Sequence, residues 1–178
     1  MKHEAARSLV VFMLMVLAGG MVFCKSKSTE LKPVQSFNAQ RYMGKWYEIA
    51  RFDFKFEKDM SKVTADYSLN DNGTIKVVNS GYDDAKGKWK EKIGKAKFAG
   101  ANDEGALKVS FFGPFYSAYT IIALDEDYSY ALVAGANNKL MWILSRTPGM
   151  PDYLKEKYLK IAQDAGYDTT ELVWTEQN

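Results

Sequence analysis

Few side chains in this sequence are of a kind that does chemistry. The chain has 178 residues with one histidine, His3, and one cysteine, Cys24. Both precede the first strand-forming stretch. A His-based zinc site, or a Ser-His or Cys-His pair, therefore has no residues to build it downstream. Carboxylates remain. Glu48 alternates with Trp46 and shares its side of an extended chain, yet no His or Cys is there to partner it. Asp83-Asp84 falls in a turn and reads as solvated. The chain is rich in rings instead: 4 Trp, 11 Tyr and 10 Phe, 14% of all residues. That composition suits a β-rich protein or one with an aromatic-lined site.

The remaining composition narrows the class. Apolar residues make up 47% and charged residues 26%, ordinary values for one globular domain with a real core. A net charge of +2 gives no nucleic-acid footprint. One cysteine cannot form an intrachain disulfide, so the core alone must hold the domain. No cofactor is expected.

The N-terminal end has its own logic. Lys2 and Arg7 are followed by an apolar, uncharged run from Leu9 to Phe23. This fits a signal-peptide core and is too short for a bilayer span. Residues 1–23 are read as the signal peptide, 24–36 as a polar tether and 37–178 as the domain. A sole Cys24 ending an apolar leader resembles a bacterial lipoprotein, in which that residue is lipidated. Phe23 departs from the small residue usual there. The alternative is cleavage after Ala18-Gly19-Gly20. Either route exports the domain.

The elements that must position any site are short strands. Asn38 is placed to cap one helical turn. Strands are expected at about Gly44 to Phe52, Val63 to Leu69, Thr74 to Gly81, Ala106 to Phe112, Tyr116 to Leu124, Tyr130 to Gly135 and Leu140 to Arg146. Asp71-Asn72-Gly73 is a hairpin turn. Residues Asp53 to Met60 read as a long loop carrying Phe54 and Phe56. Between Gly81 and Ala101 lies a further strand with a lysine row. Lys86, Lys88, Lys90 and Lys92 are spaced by two, then Lys95 and Lys97 continue with the parity shifted. A β-bulge near Ile93-Gly94 would keep all of them outside and turn Gly94, Ala96 and Phe98 inward. The row reads as a solvated face, with contact to anionic headgroups as the functional alternative. A helix follows from Pro151-Asp152 to about Ala165, with Leu154, Tyr158, Ile161, Ala162 and Ala165 on one stripe. Glu171 to Trp174 is a last short strand. Eight evenly spaced strands without a βαβ crossover are best closed into a barrel, which removes their edges. The expected fold is all-β: an eight-stranded antiparallel up-and-down β-barrel with one C-terminal α-helix packed outside.

Three segments then carry a resemblance. Gly44-Lys45-Trp46, Asp125-Glu126-Asp127-Tyr128 and Leu144-Ser145-Arg146 resemble the three signature regions of lipocalins. Ile49-Ala50-Arg51-Phe52, Lys108 to Tyr116 and Trp142 to Pro148 resemble the bacterial lipocalins, which are outer-membrane lipoproteins. The resemblance covers roughly residues 33–175. It implies that Gly44 and Trp46 form the barrel floor with Arg146 across the indole, a structural cluster rather than a catalytic one.

It further implies a lipid pocket. With Arg146 inward, period two sends Leu144, Trp142 and Leu140 inward as well. Val109, Phe111, Tyr67, Ala65, Ala96 and Tyr116 complete the expected ligand-binding wall. The partner so implied is a fatty acid or lysophospholipid, with the membrane held through lipidated Cys24 at the periplasmic side of the outer membrane. An enzyme acting on a hydrophobic substrate in the same barrel is the alternative. A third reading has Phe112 and Phe115 pairing two copies into a homodimer.

Overall fold

The computed structural model describes residues 31–55 and 57–178. The signal peptide, Cys24, most of the tether and Phe56 lie outside the described residues.

A single helical turn, α1 (Ala39–Tyr42), leads in; Asn38 caps it by accepting from the Arg41 N–H at 3.1 Å. Eight strands follow: β1 (Gly44–Phe52), β2 (Met60–Leu69), β3 (Ile75–Asp83), β4 (Lys88–Phe98), β5 (Ala106–Phe112), β6 (Phe115–Leu124), β7 (Tyr130–Ala134) and β8 (Met141–Ser145). Then come helix α2 (Asp152–Asp164) and β9 (Leu172–Trp174). Each strand pairs antiparallel with the next, and β1 pairs with both β8 and β2, which closes the barrel. Local chemistry sets the turns. At the β2–β3 hairpin, Gly73 takes φ +77° and the Asn72 carboxamide accepts from Thr74 N at 3.1 Å, as an Asx turn does.

The wall has two apolar faces. Its inner face gathers Tyr42, Trp46, Tyr67, Ile75, Val77, Ala96, Leu107, Val133 and Leu144. Its outer face over β1, β6, β7 and β8 meets α2 through Tyr158, Ala162, Leu154, Ile161 and Ala165. The expected helix stripe is therefore the packed one. Tyr158 is 2% exposed and its hydroxyl donates to Tyr130 O at 2.9 Å. Each large apolar side chain buried this fully is worth about 1.5–3 kcal/mol. The double-sided apolar character of β6 follows from the same cover: Ile121 faces in, while Ile122 and Ala123 meet the helix layer.

β1 pairs with β2 only from Gly44 to Tyr47. Beyond that the two strands part, and β9 pairs with the upper half of β1. Residues 175–177 fill the seam. Thr175 N donates to Ile49 O at 3.0 Å and Lys62 N donates to Glu176 O at 2.6 Å. The Gln177 amide donates to Glu48 O at 2.7 Å and to Val63 O at 2.9 Å.

The lysine row differs from expectation. Register between β3 and β4 runs unbroken from Ile75↔Ala96 to Asp83↔Lys88, so no bulge occurs at Ile93-Gly94. Lys88, Lys90 and Lys92 therefore share the inward face with Gly94 and Ala96, near the mouth. They are tolerated because β4 outruns β5 there, pairing with it only from Lys95 to Phe98. Lysines along such an unpaired edge also deter strand addition. Asp83 ends β3 rather than lying in a solvated turn; it is buried and ion-paired with Lys90. That hydrogen bond, more than any other influence, holds its carboxyl below the usual carboxylate range. The bulges that do occur lie at Glu48/Ala50, Ser61/Thr64, Val109/Phe112 and Ile121/Ala123.

Candidate functional site: the barrel lumen

The closed end is built by the three signature segments. Trp46 is fully buried, and its indole N–H donates to Tyr42 O at 2.9 Å. The Arg146 guanidinium carbon sits 3.9 Å from the centre of the Trp46 ring. Its N–H groups reach Tyr128 O at 3.1 Å, Lys45 O at 2.8 Å and Arg41 O at 2.9 Å. Gly44 lies beside this arm at φ +89°, a backbone conformation that favours glycine. Arg41 lies over the Tyr128 ring at 4.2 Å and donates to Glu126 O at 2.7 Å. One cation thus ties the lead-in turn, β1 and the β6–β7 loop together.

Just above the floor, three hydroxyls meet. Tyr119 lies 2.8 Å from Tyr42 and 2.9 Å from Tyr67, oxygen to oxygen. Burial pushes all three phenols well above their ordinary range, so each stays a neutral donor and acceptor. Tyr119 was not singled out from sequence, although its even spacing from Ser117 and Ile121 along β6 would have placed it inside.

Of the expected wall, Ala65, Tyr67, Ala96, Val109, Phe111 and Trp142 all belong to or pack against the inner cluster. Two residues are corrected. Tyr116 points outward, beneath Lys95 and Lys97, whose ammonium groups lie 5.8 and 4.6 Å from its ring centre. It neighbours Ser117, the inward partner of Val109, so alternation along β6 turns it out. Leu140 precedes β8 and packs on Gly135 in the β7–β8 turn, joined through Gly135 N to Leu140 O at 2.7 Å. It contributes rim, not wall.

The upper lumen holds a charged cluster that sequence reasoning missed. The bulge at Ile49 advances the alternation of β1 by one, so Glu48 and Arg51 both face in, opposite Leu144 and Trp142. Arg51, 2% exposed, bonds Glu48 at 2.8 Å and the Thr175 hydroxyl at 3.0 Å. It also donates to Glu57 O at 2.5 Å. Glu48 is thereby engaged by Arg51 and by Thr175, at 2.6 Å. This leaves it a structural carboxylate. The Trp142 indole donates to Glu57 at 3.2 Å, and Phe54 meets Trp142 edge-on at 5.7 Å. The loop between β1 and β2 is therefore held at the mouth against the paired strands β1 and β8. Burial first, and the nearby Glu48 charge second, push the Glu57 carboxyl up to about 8. Among the described residues no group of His, Cys, Asp and Glu is arranged to hold a metal.

A closed barrel, a flanking helix and this floor converge with what related proteins show. Residues 37–177 match the family model of the lipocalin-like domain. The chain belongs to the lipocalin family. It is 51% identical over 144 residues to the outer membrane lipoprotein Blc of Escherichia coli K12, spanning 81% of each chain. It is 43% identical over 172 residues to the Blc protein of Vibrio cholerae, spanning 96% of this chain and 99% of that one. Temperature-induced lipocalin-1 of Arabidopsis thaliana is 35% identical over 162 residues, 86% of each chain. Insecticyanin of the tobacco hornworm superposes with a TM-score of 0.66 at 20% identity, over 83% of this chain and 85% of that one. The last likeness shows the shared fold alone. In this lipocalin, then, Gly44, Trp46 and Arg146 form the barrel floor, and the lumen opens above them.

Proposed function

We propose that this lipocalin is a carrier of fatty acids or lysophospholipids that serves upkeep of the bacterial envelope, tied to the periplasmic face of the outer membrane through lipidated Cys24. The observation that carries the lipid reading is a contrast in the lumen. Trp46 and Ile75 are fully buried, while Ala65, Val109, Phe111 and Trp142 face inward yet stay partly exposed. A filled core would bury them all; an open apolar cavity leaves them touching space. Such a wall suits an acyl chain, and each buried CH₂ contributes about 0.8 kcal/mol. The polar groups near the mouth, Arg51 and Glu57 among them, stand where a head group would sit. The envelope reading leans on the relatives, whose names are those of outer membrane lipoproteins.

The experiment is to extract and identify lipid from the protein made in its own host, and to titrate a fatty acid while following tryptophan quenching. Co-purified lipid and saturable uptake are expected, with uptake lost in Trp142→Arg. No lipid, no uptake, or a harmless Trp142→Arg would reject the reading. Labelled palmitate that enters Cys24→Ala as well as the wild type would reject the anchor.

A further inference from the structure

Lys88, Lys90 and Lys92 line the inner side of β4 above Gly94 and Ala96. They stand opposite Asp83, Gly81 and Asn79 of β3, in that order. All three are exposed, so they face the open mouth rather than a packed core. One acid answers them: Asp83 is buried and ion-paired with Lys90. Among the described residues Lys88 and Lys92 have no carboxylate within ion-pair distance. The charges that flank the row cancel. Lys86 is offset by Asp84 in the β3–β4 turn, and Lys55 and Lys58 by Asp53 and Asp59 in the β1–β2 loop. Deeper in the lumen Arg51 is bonded to Glu48, and Glu57, pushed up to about 8, is uncharged at neutral pH. Glu91 alternates with the row and points outward with Ile93. The row therefore keeps a surplus of two positive charges, Lys88 and Lys92.

Two neighbours make a site of it. The Lys92 ammonium lies 4.3 Å from the centre of the Phe112 ring, which holds it at the opening of the lumen. Asn79, directly across from Lys92, shares the inner side of β3 with Val77. Its carboxamide oxygen is buried and accepts no hydrogen bond among the described residues. A buried acceptor ordinarily has a donor. Below Asn79 and Lys92 the wall turns apolar through Val77, Ala96 and Phe111. Cations and an unused acceptor thus stand at the open end of an apolar wall.

We infer that the inner side of β4 is the headgroup site of the lumen, taking a phosphate monoester on Lys88, Lys90 and Lys92 and a neighbouring hydroxyl on the Asn79 oxygen. That head belongs to a lysophosphatidate, a single acyl chain on glycerol phosphate. The charge count favours it: a phosphate monoester carries about two negative charges at neutral pH, a carboxylate one and a phosphocholine none. Its glycerol also brings the hydroxyl donor that a fatty acid lacks. Lys88 and Lys92 are about 13 Å apart along the strand, a span that their flexible stems close over Lys90. The inference rests on the reading of the lumen as a lipid pocket and names which lipid it takes.

The test uses the full chain and displacement of a fluorescent fatty acid. The competitors share one oleoyl chain: lysophosphatidate, its 2-deoxy analogue, lysophosphatidylcholine and oleate. Glycerol 3-phosphate, the head without the chain, separates a lipid site from one for free phosphate esters. Lysophosphatidate should bind on the order of tenfold tighter than lysophosphatidylcholine. Lys88→Gln with Lys92→Gln should erase that preference and leave lysophosphatidylcholine binding unchanged. Lys90 is kept, because its loss would strand buried Asp83. Lys95→Gln with Lys97→Gln removes the same charge from the outer side of the same strand and should keep the preference. Asn79→Ala should weaken lysophosphatidate severalfold and its 2-deoxy analogue not at all. Near-ultraviolet circular dichroism checks that each variant is folded. Equal affinity for the two lysolipids, or a preference that survives Lys88→Gln with Lys92→Gln, would overturn the inference while oleate uptake left the lipid pocket standing. An equal loss in the outer-side control would overturn it too. Glycerol 3-phosphate binding as tightly as lysophosphatidate would overturn the lipid assignment, and no uptake of any chain would overturn both readings. Asn79→Ala acting alike on both analogues would overturn the hydroxyl contact.

Discussion

The indole N–H of Trp142, on the barrel wall, donates to the carboxylate of Glu57, on the loop at the mouth, at 3.2 Å. Together with the Arg51 bond to Glu57 O, this fastens the loop to two paired strands, β1 and β8, on one side of the opening.

That fastening should titrate. The Glu57 carboxyl is pushed up to about 8 from an ordinary value of 4.5. Between those values the folded protein binds a proton that the unfolded chain has released, so stability falls as pH rises through this window. The contribution is fully present below 4.5. Tryptophan emission followed against pH should show a transition near 8, absent in Glu57→Gln. An unchanged transition in that variant would assign it elsewhere.

Arg146 makes three bonds to backbone carbonyls and covers Trp46. Arg146→Ala should therefore cost about 2–4 kcal/mol in urea unfolding. Arg146→Lys should recover little, because an ammonium cannot fork across the three carbonyls. Unaltered stability in Arg146→Ala would mean that the floor is held by Trp46 and Tyr42 alone.

Tyr119 bridges Tyr42 and Tyr67 through its hydroxyl. Tyr119→Phe removes the shared partner and leaves two buried hydroxyls without one, a loss of about 1–3 kcal/mol. Tyr42→Phe should be milder, since it leaves the Tyr67–Tyr119 contact in place. Thermal unfolding of the pair gives the ranking, and equal effects would count against the bridge.

At Gly94 a methyl group would meet the Phe111 ring at 2.6 Å and Ser110 O at 2.8 Å. The ring can swing, the backbone cannot. Gly94→Ala should cost about 1–3 kcal/mol and drive Phe111 into the lumen. Fatty-acid uptake in this variant should fall further than its stability does; undiminished uptake would show that Phe111 does not border the ligand space.

The sequence was most readable where one alternation ran undisturbed. β2 from Val63 to Leu69, β3, β5 as far as Val109 and the α2 stripe followed their periods, and so the barrel and its helix could be anticipated. Bulges are where reading stopped, because an added residue reverses every later side chain. The expected bulge at Ile93-Gly94 rested on the assumption that lysines must face out. At the mouth they face in, beside Asp83, and the nearest true break lies on β5, between Val109 and Phe112. Arg51 was hidden in the same way: two residues from Ile49, it would share that residue's outward side but for the bulge. Glu57 sits in a loop, where no period exists to read. Its partner Trp142 was placed correctly, but a contact spanning 85 positions leaves no local mark.

The seam between β1 and β2 bears on how the molecule assembles. Its closing contacts join residues 129, 127 and 114 positions apart, whereas successive strands join through short turns. Closing a longer loop costs more chain entropy, and contacts of such separation form late. Once β1 has paired with both β2 and β8 the barrel is closed at its floor end, while the upper halves of β1 and β2 still stand apart. The upper wall between β1 and β2 is completed only when residues 175–177 reach Ile49, Lys62 and Val63.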